Sequence, residues 1–339
     1  MTDSSKHPRP VDVFGVGNAL VDILAFVGDD FVREHALNRG SMTLMDAEKQ
    51  GGLLVNLEHT PVQLRSGGSA ANTMIALAQS GGNGFYSGKV ARDTNGEFYR
   101  QDMLQAGIHF DVHPAPETGG PTGTCLVLTT PDAERTMCTH LGVSTTLAAT
   151  DIDTDRLSRC KYSYVEGYLW DAPDPRKACI ETMEQSRRNG VKVSFTFSDS
   201  FLVDRFAGDF HGAVSEYCDV VFCNADEVRR FCQEESLQEC ARKLGEIVDL
   251  AFITAGARGC LVVENKQISE VPGFPVQPLD TVGAGDAFAG GVLYGLTHGL
   301  SAKQAARWGN FLASRVVGVH GPRLEESCAH RLEEVIASY

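Results

Sequence analysis

Between residues 160 and 271 short apolar β runs alternate with helical stretches, and this alternation limits the fold more than any other feature of the chain. A run at 162–165 precedes a helical stretch at 175–189. Runs at 191–197, 219–223 and 250–254 are separated by helical stretches at 208–217 and 226–246. Apolar runs joined through helices predict a parallel sheet covered on both faces. The runs at 260–264 and 267–271 are too close for a helix between them, so they predict an antiparallel hairpin at one edge. Upstream, 11–17 and 85–90 read as further strands, 70–80 as a helix stopped by Gly81 and Gly82, and 104–108 as the end of a helix at Gly107. The Thr- and Gly-rich residues 118–130 read as strands and turns, and two helices are expected near 284–297 and 302–317. In an open parallel sheet, ligands sit beyond the carboxyl ends of the strands. Gly167, Tyr168, Asn224, Thr254, Gly256 and the turn at 283–285 should therefore share one rim.

A chain of 339 residues holds one large α/β domain with an appendage, or two modest domains. Thirty Lys and Arg against 44 Asp and Glu give a net charge of −14, which opposes nucleic acid and anionic membranes as partners. A small anionic ligand remains compatible, because main-chain N–H groups bind anions without a basic patch. The polar start, MTDSSKHPRP, is no secretory signal, and no run approaches the ~18 apolar residues of a membrane span. Ten cysteines without a CxxC pair then read as reduced thiols in the cytoplasm and not as metal ligands. Val90 stands where a phosphate-binding Walker loop needs Ser or Thr, and Leu20 where a dinucleotide fingerprint needs its third Gly. No HExxH occurs, and His298 and His320 read as surface or packing residues.

The stretch DTVGAGDAFAGG, 280–291, opens the helix expected near 284–297. The first N–H groups of a helix lack intrahelical acceptors and carry the positive end of its dipole. A turn at Gly283, Ala284 and Gly285 can thus hold the charge that develops on a phosphoryl group. Asp286 in the same turn either caps the helix or takes the proton of an attacking hydroxyl. Asn224 and Glu227 in NADE read as an N-cap with its first turn, or as neighbours of a hydrated Mg²⁺. TAGARG at 254–259 is a plain turn or a cradle for nucleotide phosphates. Gly67, Gly68 and Asn72 at a helix start suit sugar hydroxyls, with Ser69 as an ordinary cap in the blander reading. Asp22 inside the apolar run ALVDILAFV needs a partner, which substrate hydroxyls would supply.

These motifs, in this order, resemble the PfkB (ribokinase-like) family of carbohydrate and nucleoside kinases. DTVGAGDAFAGG is similar to its C-terminal signature, GGSAANTMIALAQSGG with GKVARDTNGEFY to its N-terminal one, and NADE and TAGARG to its NxxE and TxGxxG motifs, together spanning roughly 11–325. GNALVDI at 17–23, PTGTC at 121–125 and the tail at 313–321 resemble the adenosine kinase branch. The resemblance implies one kinase domain over 1–339: a Rossmann-like αβα sandwich with a mostly parallel sheet, plus a small β-sheet lid from parts of 18–66 and 109–140. It implies ATP as phosphoryl donor with Mg²⁺, Asp286 as catalytic base, and Gly283, Ala284 and Gly285 as anion hole. Asn18, Asp22, Gly67, Gly68 and Asn72 would hold the ribose, with Cys125 and Tyr168 beside the substrate. Asn224, Thr254, Gly256, Gly259 and Asn310 would bind ATP, and Glu227 would face Mg²⁺ through water. Arg135 would be a phosphate-facing lid residue, and Asp280, Val282 and Gly321 would surround a monovalent cation such as K⁺. The acceptor implied is the 5′-hydroxyl of adenosine, giving AMP. The alternatives are ribose, fructose, 2-keto-3-deoxygluconate, inosine or guanosine as acceptor, or a nucleoside-binding regulatory protein without catalysis. The chain is expected as a monomer or a homodimer. YVEGYLWD departs from the branch at Glu166, bringing Tyr168 and Trp170 toward the acceptor, and His140 and Gly142 depart near the lid.

Overall fold

The computed structural model describes residues 11–132, 134–337 and 339; the polar residues 1–10 read above lie outside the described residues. The chain shuttles between two sheets. It lays down β1 (Val13–Val16) in a large sheet, then crosses to a small one for β2 (Leu20–Phe26), β3 (Met42–Leu44) and β4 (Val62–Gly67). It returns for β5 (Gly84–Ser87) and β6 (Ile108–His109), and crosses again for β7 (Gly123–Thr129) and β8 (Arg135–His140). Thereafter it stays in the large sheet for β9 (Tyr162–Glu166), β10 (Lys192–Thr196), β11 (Val220–Asn224), β12 (Leu250–Thr254), β13 (Cys260–Glu264) and β14 (Gln267–Val271).

The large sheet runs β14-β13-β12-β11-β10-β9-β1-β5-β6, parallel from β12 to β6 and antiparallel at β12–β13–β14. The hairpin forms where the sequence leaves no room for a helix, and Asn265 and Lys266 turn it with left-handed φ of 48° and 66°. Successive strand residues point to opposite faces. Phe14, Val221, Cys223 and Ile253 enter one buried cluster, while Val13, Val220, Phe222 and Phe252 enter the other. Both faces are thus apolar, which is why these strands read as continuous apolar runs.

The small sheet, ordered β3-β8-β7-β2-β4, covers one rim of the large one. Its outer face packs on the helix Ala47–Asn56, where Leu53 meets Ile23, Leu126 and Cys138. Gln50 on that helix is buried, and its amide donates to the carbonyls of Thr124 and Cys138 at 3.1 and 2.8 Å. One boundary expected from the sequence is wrong. The helix read from 208 begins at Ser200, capped by Asp199, and bends at Phe206, where φ is −121°. The bend interrupts the apolar periodicity, so only its second half, Gly208 onward, stood out.

The glycines of the AFAGG stretch set helix spacing. A Cβ on Gly290 would lie 2.4 Å from the Thr73 carbonyl oxygen of the helix Ser69–Gln79. Gly290→Ala should therefore push that helix away and cost ~1–3 kcal/mol in a urea unfolding experiment; unchanged stability would show that the contact yields without strain.

Candidate active site

The helix Ala284–Thr297 starts at Gly283, whose φ of 77° is left-handed, and no side chain caps it. Its first-turn carboxylate, Asp286, lies partly buried under the lid. Asp286 Oδ1 accepts a hydrogen bond from Ser69 Oγ at 2.6 Å, and Oδ2 accepts one from Asn72 Nδ2 at 3.3 Å. Burial raises the Asp286 carboxyl to about 6, against the lowering effect of those two donors. Ser69 is thus no cap, since Gly68 holds the N-cap position; its hydroxyl serves the aspartate instead. The sequence offered no signal for that link across 217 positions.

Around this turn the structure forms three adjoining cavities. The first, about 360 Å³, collects Asp22, Gly68, Asn72, Cys125, Arg135, Tyr168, Asn224, Glu227, Thr254 and Asp286. The second, about 300 Å³, lies across the glycine turn and shares Thr254, Gly285 and Phe288 with the first. Gly256, Gly259, Ala284 and Asn310 line it with the apolar Phe274, Val276 and Val317. Those apolar residues were not singled out from the sequence, although the exposed Val276 in the proline-rich stretch GFPVQPL was a cue. The third, about 490 Å³, continues the first past Leu20, Gly68, Ser69, Met137 and Tyr168, and adds Asn18, Met42, Leu44, Leu141 and Phe201. The helix mouth therefore stands between two chambers, one reaching the lid and one reaching the β12–β14 edge.

Several expected residues have other duties. The Asn310 amide donates to the Val271 and Pro272 carbonyls at 2.9 and 3.3 Å, so it fastens the edge strand while lining the second cavity. Gly67 does not reach the cleft. It makes room for Asp22, whose carboxyl carbon would lie 2.3 Å from a Cβ there. Asn224 is a true N-cap: Oδ1 accepts from the N–H groups of Asp226 and Glu227 at 2.8 and 2.9 Å. Its Nδ2 and main-chain N–H donate in turn to Glu227 at 2.6 and 3.0 Å. Both motif residues nonetheless face the cleft, so capping and ligand contact are compatible.

The three residues expected around a monovalent cation do meet, at the carboxylate of Asp280, which a guanidinium from the lid also pairs. Asp280 accepts the N–H groups of Val282 at 3.0 Å and Gly321 at 2.7 Å, and Arg135 pairs with the same carboxylate. Arg135 is 7% exposed, and its Nε and Nη1 are buried without a partner among the described residues. Asn72 Oδ1 is likewise buried and unpartnered. Burial raises the Asp22 carboxyl to about 7; Arg323 opposes the shift, while Asp286 adds to it. Burial also raises Glu227 to about 7. Cys125 lines the cleft as a buried thiol that accepts from Thr139 Oγ1 at 3.3 Å. All ten cysteines are unpaired, and no described helix is long and apolar enough to cross a membrane.

A ribokinase-like α/β body with a β lid over an uncapped glycine turn and its aspartate defines a lidded small-molecule kinase. Residues 47–327 match the pfkB family of carbohydrate kinases, and the chain belongs to that family. It is a phosphotransferase with an alcohol group as acceptor. The chain is 28% identical to the adenosine kinase of Saccharomyces cerevisiae over 333 residues, covering 91% of this chain and 95% of that protein. The crystal structure of adenosine kinase from Sinorhizobium meliloti superposes with a TM-score of 0.88 at 35% identity, covering 96% of this chain and 99% of that one. A probable sugar kinase from Rhizobium etli CFN 42 gives a TM-score of 0.88 at 32% identity, covering 96% and 98%.

Proposed function

We propose that the enzyme transfers the γ-phosphoryl group of ATP to the 5′-hydroxyl of adenosine, giving AMP and ADP. The observation that carries this reading is the two-part acceptor space. The first cavity offers hydroxyl partners at Asp22 and the unpartnered Asn72 Oδ1, close to Asp286. The third cavity continues it with Met42, Leu44, Leu141, Tyr168 and Phe201, a wall suited to a flat base. A free pentose has nothing to fill that second part. Sugar acids are further disfavoured: the two cavities carry Asp22, Glu166, Asp171, Asp199, Glu227 and Asp286 against the single arginine Arg135.

In this reading Asp286 accepts the proton of the 5′-OH as its oxygen bonds to the γ-phosphorus, and the bond from that phosphorus to the bridging oxygen of ADP breaks. The amides at Gly283, Ala284 and Gly285 hold the charge on the passing phosphoryl group. The bare Nε and Nη1 of Arg135 supply donors from the lid side. The nucleotide occupies the second cavity, with Thr254, Gly256 and Gly259 at its phosphates. Among the described residues no group of three or more His, Cys, Asp or Glu is placed to hold a metal ion. The oxygen donors Asn224 and Glu227 suit a Mg²⁺ that keeps its waters and rides on the triphosphate, whose charge it would neutralise. Lid closure over both substrates would exclude water.

An ADP-release assay over adenosine, inosine, guanosine, ribose, fructose and 2-keto-3-deoxygluconate tests the reading. The highest kcat/KM should belong to adenosine; a free sugar in that place would overturn it. Thermal stabilisation by adenosine without ADP release would instead favour a non-catalytic binding protein. Because Arg135 already neutralises Asp280, exchanging K⁺ for Na⁺ at constant ionic strength should leave turnover unchanged. An absolute need for K⁺ would show that the guanidinium leaves Asp280 during the reaction.

A further inference from the structure

Glu166 is fully buried at the carboxyl end of β9, in the middle of the large sheet, and the chemistry above does not use it. An ionised carboxylate in such a place is costly unless hydrogen bonds compensate it. Two main-chain groups do so in part, lowering a carboxyl that burial still raises to about 7. Oε1 accepts the Asn18 N–H at 2.7 Å, and Oε2 accepts the Ala70 N–H at 2.7 Å. These two residues lie on two of the four chain crossings between the body and the lid. Asn18 follows β1 and leads into β2, while Ala70 follows β4 through Gly67 and Gly68. The crossings are neighbours in the lid, where Leu20 pairs with Gly67. Ala70 also stands in the first turn of the helix that presents Ser69 and Asn72 to Asp286.

We infer that Glu166 is a positioning residue that pins the lid hinge to the body at Asn18 and Ala70, and thereby fixes Ser69 and Asn72 against the catalytic carboxylate. Two converging N–H donors require a group that only accepts, which a carboxylate supplies and a carboxamide does not. Gly17 makes room for this junction: a Cβ there would lie 2.6 Å from the Ala70 Cβ and 2.8 Å from both the carboxyl carbon and Oε2 of Glu166. The inference rests on the kinase reading for its catalytic half only.

The test uses the full chain with adenosine and ATP. Glu166→Gln keeps the shape but turns an NH₂ toward one of the two N–H groups. It should raise the adenosine KM roughly tenfold or more while leaving the ATP KM unchanged, and should speed amide hydrogen exchange at Asn18 and Ala70. Glu166→Asp keeps both acceptor oxygens but draws them back by one methylene from the two N–H groups, so it should move the same quantities in the same direction; if Glu166→Gln does not fold, this variant decides. Folded variants with wild-type adenosine KM and wild-type exchange at both amides would overturn the inference. The exchange readout needs no acceptor. Faster exchange in a chain whose wild type does not phosphorylate adenosine would leave the hinge role standing and remove the acceptor assignment.

Discussion

Asparagine in place of Asp286 is expected to preserve the fold and ATP binding and to lower kcat about 10²–10⁴-fold. The replacement keeps an oxygen for the Ser69 hydroxyl but cannot take a proton. Steady-state ADP release at saturating adenosine and ATP measures the effect, and wild-type turnover would remove Asp286 from the mechanism. The same carboxylate sets the pH response. Burial raises its pKa to about 6 in the free enzyme, while Ser69 and Asn72 donate to the ionised form and hold it down. The base works ionised, so kcat/KM should be high above this value and fall as pH drops through about 6. Ser69→Ala removes a donor from the ionised form, raises the pKa and should move the acidic limb to higher pH. A limb that stays in place would mean that another group limits the reaction.

The parts of this enzyme legible in the sequence are those governed by local rules. Strands at 162–165, 219–223 and 250–254 stood out because both faces of the large sheet are covered, so each strand is a continuous apolar run. The hairpin Cys260–Val271 stood out because no helix fits between its halves. The glycine turn was visible because left-handed backbone at Gly283 and the close approach at Gly290 both demand glycine. The lid was less legible. Its strands β2 and β3 are separated by the short helix Asp29–Glu34, and β3 and β4 by the helix Ala47–Asn56, whose Gly51 and Gly52 mask a helix that Asp46 caps. The charge network was not legible at all. Ser69 to Asp286, Arg135 to Asp280 and Glu166 to Asn18 each join residues far apart in sequence, and only the folded crossings between body and lid bring them together. The residues expected around a monovalent cation show the consequence: 282 and 321 converge on the Asp280 carboxylate as expected, and the lid brings the Arg135 guanidinium to that carboxylate, which no local pattern announced.

Asp22 should betray a binding role by the direction in which its loss moves stability. It is 8% exposed, and burial lifts its carboxyl from 3.8 to about 7. A carboxylate whose pKa is raised on folding opposes the folded state as it ionises. Its cost is absent below about 3.8, grows as pH rises and is complete above about 7. Asp22→Asn should therefore raise the melting temperature of the substrate-free protein, with a gain that widens up to about pH 7. The same substitution should raise the adenosine KM roughly 10–100-fold, because charge-assisted bonds to the substrate hydroxyls are lost. The two effects together are diagnostic. A residue kept for the fold would lower stability when replaced, whereas one kept for a ligand relieves a strain that only the ligand offsets. A melting temperature that falls while the KM stays put would return Asp22 to a structural role and leave the ribose held by Asn72 and the Gly68 turn.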